Sequence, residues 1–409
     1  MNSNGQAAIG NIDLVKQING SVVYRLIDKQ GPISRIQIAE ISQLAPASVT
    51  KITRQLLNRG LIKEVEQQAS TGGRRAISIV TDNHAFQAVA IRLGRCNATI
   101  ALYDLGGKLL VEEVAPLPEK TQEDLEKALI KTIERFIKTH QERIIEFVAI
   151  AIALPGLIDP EKGIVSYMPH IPLQNWKLVD AIQNHFNITT FIGHDIRSLA
   201  LAEHYFGTTQ DCEDSFLVRI HRGTGAGVII NSQIYLGHKR NVAEIGHIQV
   251  DPLGERCHCG NFGCLENIAS NSAIEKHALS LLKQGRISQL TVDKCTIHDI
   301  CLAANNGDQL AINIIENVGR YLGKAIAIVI NLFNPEKIVL TGEISAAKDT
   351  LLPSVQNCIN TQALKNFRES IPLVTSQLDH RSAIGAFALV KRSMLNGVLL
   401  QQLLGDTLY

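Results

Sequence analysis

The chain has 409 residues, more than one ordinary domain holds, and its 45% hydrophobic and 19% charged residues exclude a disordered chain. No apolar run reaches the roughly 18 residues that span a bilayer, and MNSNGQAAIG lacks the parts of a secretory signal, so a cytoplasmic protein is expected. Net charge is only +1, but the first eighty residues carry ten Lys or Arg against five acids, leaving −4 for the other 329. A basic end on an acidic protein is the electrostatic footprint of a nucleic-acid arm, which would associate the chain with the nucleoid.

In chain order, Val15, Ile18, Val22, Val23, Leu26 and Ile27 recur at helical spacing up to the Gly31-Pro32 breaker. Ser34 can cap a second helix with an apolar face of Ile36, Ile38, Ala39 and Ile41. A third helix can begin at Pro46, bury Val49, Ile52, Leu56 and Leu57, and stop at Gly60. This is a helix-turn-helix, with Arg35, Pro46, Ala47, Ser48, Thr50, Lys51 and Arg54 offered to the major groove. LIKEVEQQASTGGRRAISIV then reads as a winged hairpin whose tip, Gly72, Gly73, Arg74 and Arg75, suits phosphates or the minor groove. A helical dimerisation hairpin with merely solvated charges is the competing reading. Helix spacing, basic bias and hairpin together favour the wing.

From about residue 87 the pattern turns to α/β. Strands AVAIRLG, ATIALYD and KLLVEEVAP lead to a helix over 122–140 and the strand EFVAIAIALPG; helices WKLVDAIQNHF and DIRSLALAEHYFG flank TTFIG. At Phe216 the three-strand start repeats as SFLVRIHRG, AGVIINS and QIYLG, followed by more helices and EKIVLTG. A duplicated α/β unit with a cleft between its halves is expected. The predicted divisions are 1–82, then 83–193 plus 382–409 as the smaller lobe, and 194–381 as the larger.

EIGHIQVDPLGERCHCGNFGCLE sets His247, Cys257, Cys259 and Cys264 on a short glycine-punctuated loop. One imidazole and three thiols suffice for a closed, structural tetrahedral zinc site, whereas inert buried thiols would not need this spacing. His258, between two of the ligands, is expected to point outward.

AEIGH followed by CHCGNFGCLE resembles the signature of the ROK family of repressors and sugar kinases, and the winged amino terminus places the likeness among its repressors. The likeness covers nearly the whole chain. It implies a ribonuclease-H-like, actin-like two-lobed module. It also implies a sugar site in which Glu244, His247 and Glu266 contact hydroxyls, with His194 and Asp195 at the position of the kinases' Asn-Asp pair. The family's amino-sugar repressors imply N-acetylglucosamine 6-phosphate as inducer, and a homodimer or homotetramer on near-palindromic operator DNA. Asp195 should repel a 6-phosphate, so His194, Arg197 or Arg222, with the amides of the turn at Gly223, Thr224 and Gly225, are expected to offset it.

Catalysis is not expected. The kinases' Asp-x-Gly-x-Thr phosphate motif is here Arg92-Leu93-Gly94-Arg95-Cys96, and their nucleotide-side glycine pair is degraded to Thr341-Gly342-Glu343. A different alternative is a glucose-responsive repressor sequestered by a membrane sugar transporter. Its partner surface would be the apolar carboxy-terminal helix with Leu395, Val398, Leu399, Leu400, Leu403 and Leu404, although that helix is expected to pack at home.

Overall fold

The computed structural model describes residues 12–66, 77–118, 121–238, 242–368 and 371–405. Two compact units emerge: residues 1–154, 160–192 and 386–409, and residues 155–159 and 193–385.

The first unit opens with α1 (Ile12–Gln30), β1 (Ile33–Ser34), α2 (Arg35–Ser42), α3 (Pro46–Arg59), β2 (Ile62–Glu66) and β3 (Ile77–Thr81). Ser34 caps α2 as expected: its hydroxyl accepts from the Gln37 amide at 3.3 Å while the Gln37 side chain accepts from the Ser34 amide at 3.0 Å. Helix α3 starts on Pro46 and ends on Gly60, whose φ of 76° suits a residue without Cβ. The sheet order β1-β3-β2 completes a winged helix-turn-helix. The expected tip, Gly72, Gly73, Arg74 and Arg75, lies outside the described residues.

The apolar faces need correction. On α2 only Ile38 is buried; Ile36 and Ile41 are exposed. On α3 the buried residues are Val49, Thr53 and Leu56, whereas Ile52 and Leu57 are half-buried; the Thr53 hydroxyl is satisfied by donating to the Val49 carbonyl at 2.9 Å. A hydrogen-bonded threonine can occupy an interior site that a hydrophobic pattern assigns elsewhere.

The rest of the first unit holds β4 (Phe86–Leu93), β5 (Asn97–Asp104), β6 (Leu109–Pro116), α4 (Gln122–Thr139), β7 (Glu146–Leu154), the short strands β8 (Leu157–Asp159, assigned to the second unit) and β9 (Ile164–Tyr167), α5 (Leu178–Phe186) and β10 (Thr190–His194). Its sheet order is β10-β7-β4-β5-β6.

The second unit contains α6 (Asp195–Phe206), β11 (Ser215–Ile220), β12 (Thr224–Ile230), β13 (Gln233–Ile234), α7 (Glu266–Ala269), α8 (Asn271–Lys283), α9 (Ile297–Asn305), α10 (Gln309–Phe333), β14 (Lys337–Thr341), α11 (Lys348–Gln362), α12 (Lys365–Arg368) and β15 (Leu373–Thr375). Its sheet order, β13-β12-β11-β14-β15, repeats that of the first sheet strand for strand. The duplication read from the sequence is therefore real. Helix α10 is its main core element, burying Ile314, Ile315, Leu322 and Ile326.

Helices α13 (Ile384–Leu395) and α14 (Val398–Gly405) close the chain. Leu399, Leu400 and Leu403 are buried, so α14 packs within its own unit, against α1 and α3. The winged head is tied to these helices by charge as well: Lys391 Nζ lies 2.6 Å from Asp28 Oδ1, and Arg25 donates to the Leu395 carbonyl at 3.0 Å. Among the described residues no helix is long and apolar enough to cross a membrane.

Candidate functional site

On α3 the side chains proposed to meet DNA are largely free of the core: Pro46, Ala47, Thr50, Lys51 and Arg54 are exposed and Ser48 is half-buried. Arg35 behaves differently. Its guanidinium donates to Thr53 Oγ1 at 3.0 Å and to Glu64 Oε1 at 2.7 Å, so it braces α2 against α3 and the wing.

In the second unit, the segment carrying His247 turns back along the segment carrying Cys264. The Val250 amide donates to the Gly263 carbonyl at 2.9 Å and the Leu265 amide to the Ile248 carbonyl at 3.0 Å. This pairing requires a glycine: Gly263 has φ 63°, and a Cβ there would lie 1.6 Å from the Asp251 carbonyl oxygen. The tip is tightened by the Cys257 amide donating to the Asn261 carbonyl at 2.7 Å.

The result brings His247, Cys257, Cys259 and Cys264 together, with one donor atom of each within 4.8 Å of the others. Cys257 Sγ is 3.7 Å from His247 Nδ1, and Cys259 Sγ is 3.7 Å from Cys264 Sγ. Ligands about 2.0–2.3 Å from one tetrahedral ion would be separated by roughly 3.4–3.8 Å, the size of these two separations. Burial pushes the Cys264 thiol up to about 12, with the neighbouring thiols adding to the effect. A hydrogen bond from the Asn261 backbone pulls Cys259 down. The side chain of His258 is 72% exposed, but it does not turn away from the loop as expected: its Nδ1 lies 3.8 Å from Cys257 Sγ and 3.5 Å from Glu266 Oε1.

Two of the residues expected to contact sugar, His247 and Glu266, lie together beside this loop. A His247 ring nitrogen, a His258 ring nitrogen and a Glu266 oxygen lie within 4.8 Å of one another. Glu266 Oε2 accepts from the Thr224 amide at 3.1 Å, and a Cβ on Gly246 would meet the Thr224 carbonyl oxygen at 2.3 Å. The EIGH turn is thus pressed onto the start of β12. Glu244 is exposed. A cavity of about 650 Å³ opens beside Glu266, with Arg222, His258, Asn267 and His277 in its wall; His194, Asp195 and Glu244 do not line it.

Two expectations for phosphate binding change. Gly223, Thr224 and Gly225 were expected to form an open turn, but Thr224 and Gly225 belong to β12, paired with Ile220 and Arg219. The Thr224 amide is already committed to Glu266. A Cβ on Gly225 would lie 2.4 Å from Ile196 Cδ1, so a side chain there would displace the end of Ile196. The absence of a side chain serves the approach of α6 to the sheet.

Asp195 is not a bare carboxylate either. It is buried, and Oδ2 accepts from Arg219 Nη2 at 2.6 Å while Oδ1 accepts from the Ile196 amide at 2.7 Å. Sequence reasoning missed Arg219; the signal was a single arginine in the otherwise apolar strand SFLVRI. Burial, reinforced by Arg197 and Arg219 against the pull of Asp195, lowers the His194 imidazole to about 4. His194 is therefore neutral near pH 7 and supplies no charge for a phosphate. Arg197 is buried, lowered by desolvation and raised by the Glu244 and Asp195 carboxylates. Arg222 is exposed.

The family model described as "ROK family" matches residues 88–393, and the MarR family model matches residues 22–70. The chain is 66% identical over 404 residues to the N-acetylglucosamine repressor of Escherichia coli O6:H1, covering 99% of this chain and 100% of that protein. It is 40% identical to the DNA-binding transcriptional repressor Mlc of Escherichia coli K12, over 97% of this chain and 98% of the relative. The crystal structure of a ROK family transcriptional regulator, a homologue of the E. coli Mlc protein, superposes with a TM-score of 0.90 at 44% identity, covering 96% of this chain and all of the other. These relatives are transcription regulators, and the likeness to them runs through both the winged head and the duplicated module. The chain belongs to the ROK family, among its transcriptional repressors rather than its enzymes.

Proposed function

We propose that the chain represses genes of N-acetylglucosamine uptake and catabolism and leaves operator DNA when N-acetylglucosamine 6-phosphate binds. The observation that carries this reading is the 66% identity, across almost the entire length, with a relative named as the N-acetylglucosamine repressor. DNA is met by α3 through Ala47, Ser48, Thr50, Lys51 and Arg54, with Gly72, Gly73, Arg74 and Arg75 on the backbone or in the minor groove. A homodimer or homotetramer would set two such heads on a near-palindrome. The protein would then act in the cytoplasm, on the nucleoid.

Sugar hydroxyls are met by Glu244, His247 and Glu266. Carboxylates and an imidazole offer the multidentate acceptors and donors that a hexose requires. His247, Cys257, Cys259 and Cys264 would hold Zn²⁺, which when bound supplies a rigid clip between the segments around residues 247 and 264. With His247 Nδ1 turned to the thiols, its other ring nitrogen is left for the sugar. His194 contributes as a neutral hydrogen-bonding group. The 6-phosphate charge falls to Arg222 and Arg197, with Arg219 cancelling the charge of Asp195. Induction requires only that the inducer bind the DNA-incompetent arrangement more tightly than the competent one.

Calorimetric titration with phosphorylated and free N-acetylglucosamine tests the site. Arg222→Ala should erase at least a tenfold preference for the phosphate, the size of about 1.4 kcal/mol. His194→Ala should weaken both sugars alike. An unchanged preference in Arg222→Ala would remove that arginine from the phosphate site.

A further inference from the structure

The second unit contains another constellation, made of residues far apart in the chain. His221 follows β11, Glu343 follows β14, and His380 follows β15. Strands β11 and β14 are parallel, with Arg219 opposite Thr341, so their carboxyl ends emerge side by side. Their exits are in close contact: Gly342 has φ 115°, and a Cβ on it would sit 1.8 Å from the Ile220 carbonyl oxygen. No residue with a side chain fits there. This forced approach sets Glu343 beside His221.

His221 Nδ1 is 2.9 Å from Glu343 Oε2, and His380 Nε2 is 3.4 Å from Glu343 Oε1. One donor atom from each residue lies within 4.8 Å of the other two. The side chains are largely shielded, with exposures of 23% for His221, 22% for Glu343 and 12% for His380. Asn271 fixes the carboxylate from outside, donating from Nδ2 to Glu343 Oε2 at 3.0 Å; its backbone amide donates to the His221 carbonyl at 2.7 Å.

Hydrogen bonding alone leaves this group incomplete. His380 Nε2, although 3.4 Å from Glu343 Oε1, is buried without a well-directed hydrogen bond among the described residues, and so is Asn271 Oδ1. Leaving a buried polar atom unmatched costs about 1–3 kcal/mol. An ion between the three donors would remove that cost for His380. Two ligands about 2.1 Å from one metal are separated by roughly 3.0 Å at a right angle and roughly 3.4 Å at the tetrahedral angle; the separations here are of that size but reach different oxygens of Glu343, so one ion would use both carboxylate oxygens.

We propose that His221, Glu343 and His380 form a second metal site, independent of the Cys/His cluster, for a borderline divalent transition ion of the zinc, cobalt or nickel type. Two imidazoles with one carboxylate select such ions over calcium or magnesium, which prefer all-oxygen shells. Three protein ligands leave at least one position for water. Any proton on the imidazoles is released to solvent on binding. The ion would pin the exits of β11, β14 and β15 to one another. This inference does not depend on the identity of the inducer.

Full-length protein, stripped of metal and kept reduced, is titrated with Co²⁺, and binding is followed by metal analysis and absorption. The wild type should take two equivalents: one with the intense near-ultraviolet band of thiolate-bound cobalt, one with only weak visible bands. His380→Ala and Glu343→Gln should each lose the second equivalent while the thiolate band and the far-ultraviolet circular dichroism stay unchanged. Cys264→Ala should lose the thiolate band and keep the other equivalent. Equal stoichiometry in the wild type and in the two folded His380 and Glu343 variants would overturn the proposal.

Discussion

The Cys/His loop and the cluster around Asp195 lie in the same compact unit but treat their buried polar groups differently. The loop gathers three thiols and an imidazole that have no charge partner of their own, with Cys264 pushed up to about 12. The proposed Zn²⁺ would complete it. Around Asp195 the charge is answered within the chain: Asp195 is matched by Arg219 at 2.6 Å and His194 stays neutral, although its buried Nδ1 has no hydrogen-bond partner among the described residues. The difference teaches that a buried charge can be answered by another side chain, whereas a cluster of thiols and an imidazole offers donors that only a metal would use together.

The contrast can be broken most severely at Arg219. Arg219→Ala leaves Asp195 as a buried carboxylate without its cation, and urea denaturation should show a loss of about 4 kcal/mol. Combining Asp195→Asn with Arg219→Leu should recover much of that loss. If the single variant is as stable as the wild type, the carboxylate is not compensated by Arg219.

A smaller effect comes from acid. The folded imidazole of His194 sits at about 4, below its ordinary 6.5, so the unfolded chain binds the proton more readily. The stability this histidine supports is present above pH 6.5 and is lost as pH falls from about 6.5 towards 4. The full effect is about 3 kcal/mol. Denaturation midpoints at pH 7 and pH 5 should therefore differ less in His194→Gln than in the wild type.

Chelation probes the other member of the comparison. Removing a metal present at a hundred times its dissociation constant should cost about 2.7 kcal/mol, restored by adding Zn²⁺. Cys264→Ala should be insensitive to the chelator at this loop. The smallest effect is expected in the head, where Lys51→Ala should reduce the salt dependence of operator binding by about one unit of logarithmic slope.

What could be read from the chain follows the same division. The Cys/His loop lies within eighteen consecutive residues, and the glycine that lets it fold back is inside the same string, so spacing alone announced it. The capping of α2 by Ser34 and the ends of α3 were legible for the same reason: their causes are local. The repeated strand order was visible as a repeated pattern.

Arg219, by contrast, gains its meaning only when β11 brings it beside the start of α6, twenty-four residues earlier in the chain. The glycines of GTGAG looked like a phosphate loop because the sequence cannot show that Ile196 and Ala200 press on them from α6. The His221, Glu343 and His380 group was invisible for a further reason, since its three members come from three different strand ends. On α2, Ile36 and Ile41 fit a helical stripe but face solvent, because a helix this short buries only what its neighbours cover.

The most direct test of the account uses a fluorescently labelled duplex from upstream of amino-sugar genes. The full-length protein should raise its anisotropy at moderate salt, and N-acetylglucosamine 6-phosphate should return it to the value of free DNA, while glucose should not. Anisotropy that ignores the amino-sugar phosphate, or a protein that never binds the duplex, would contradict the account.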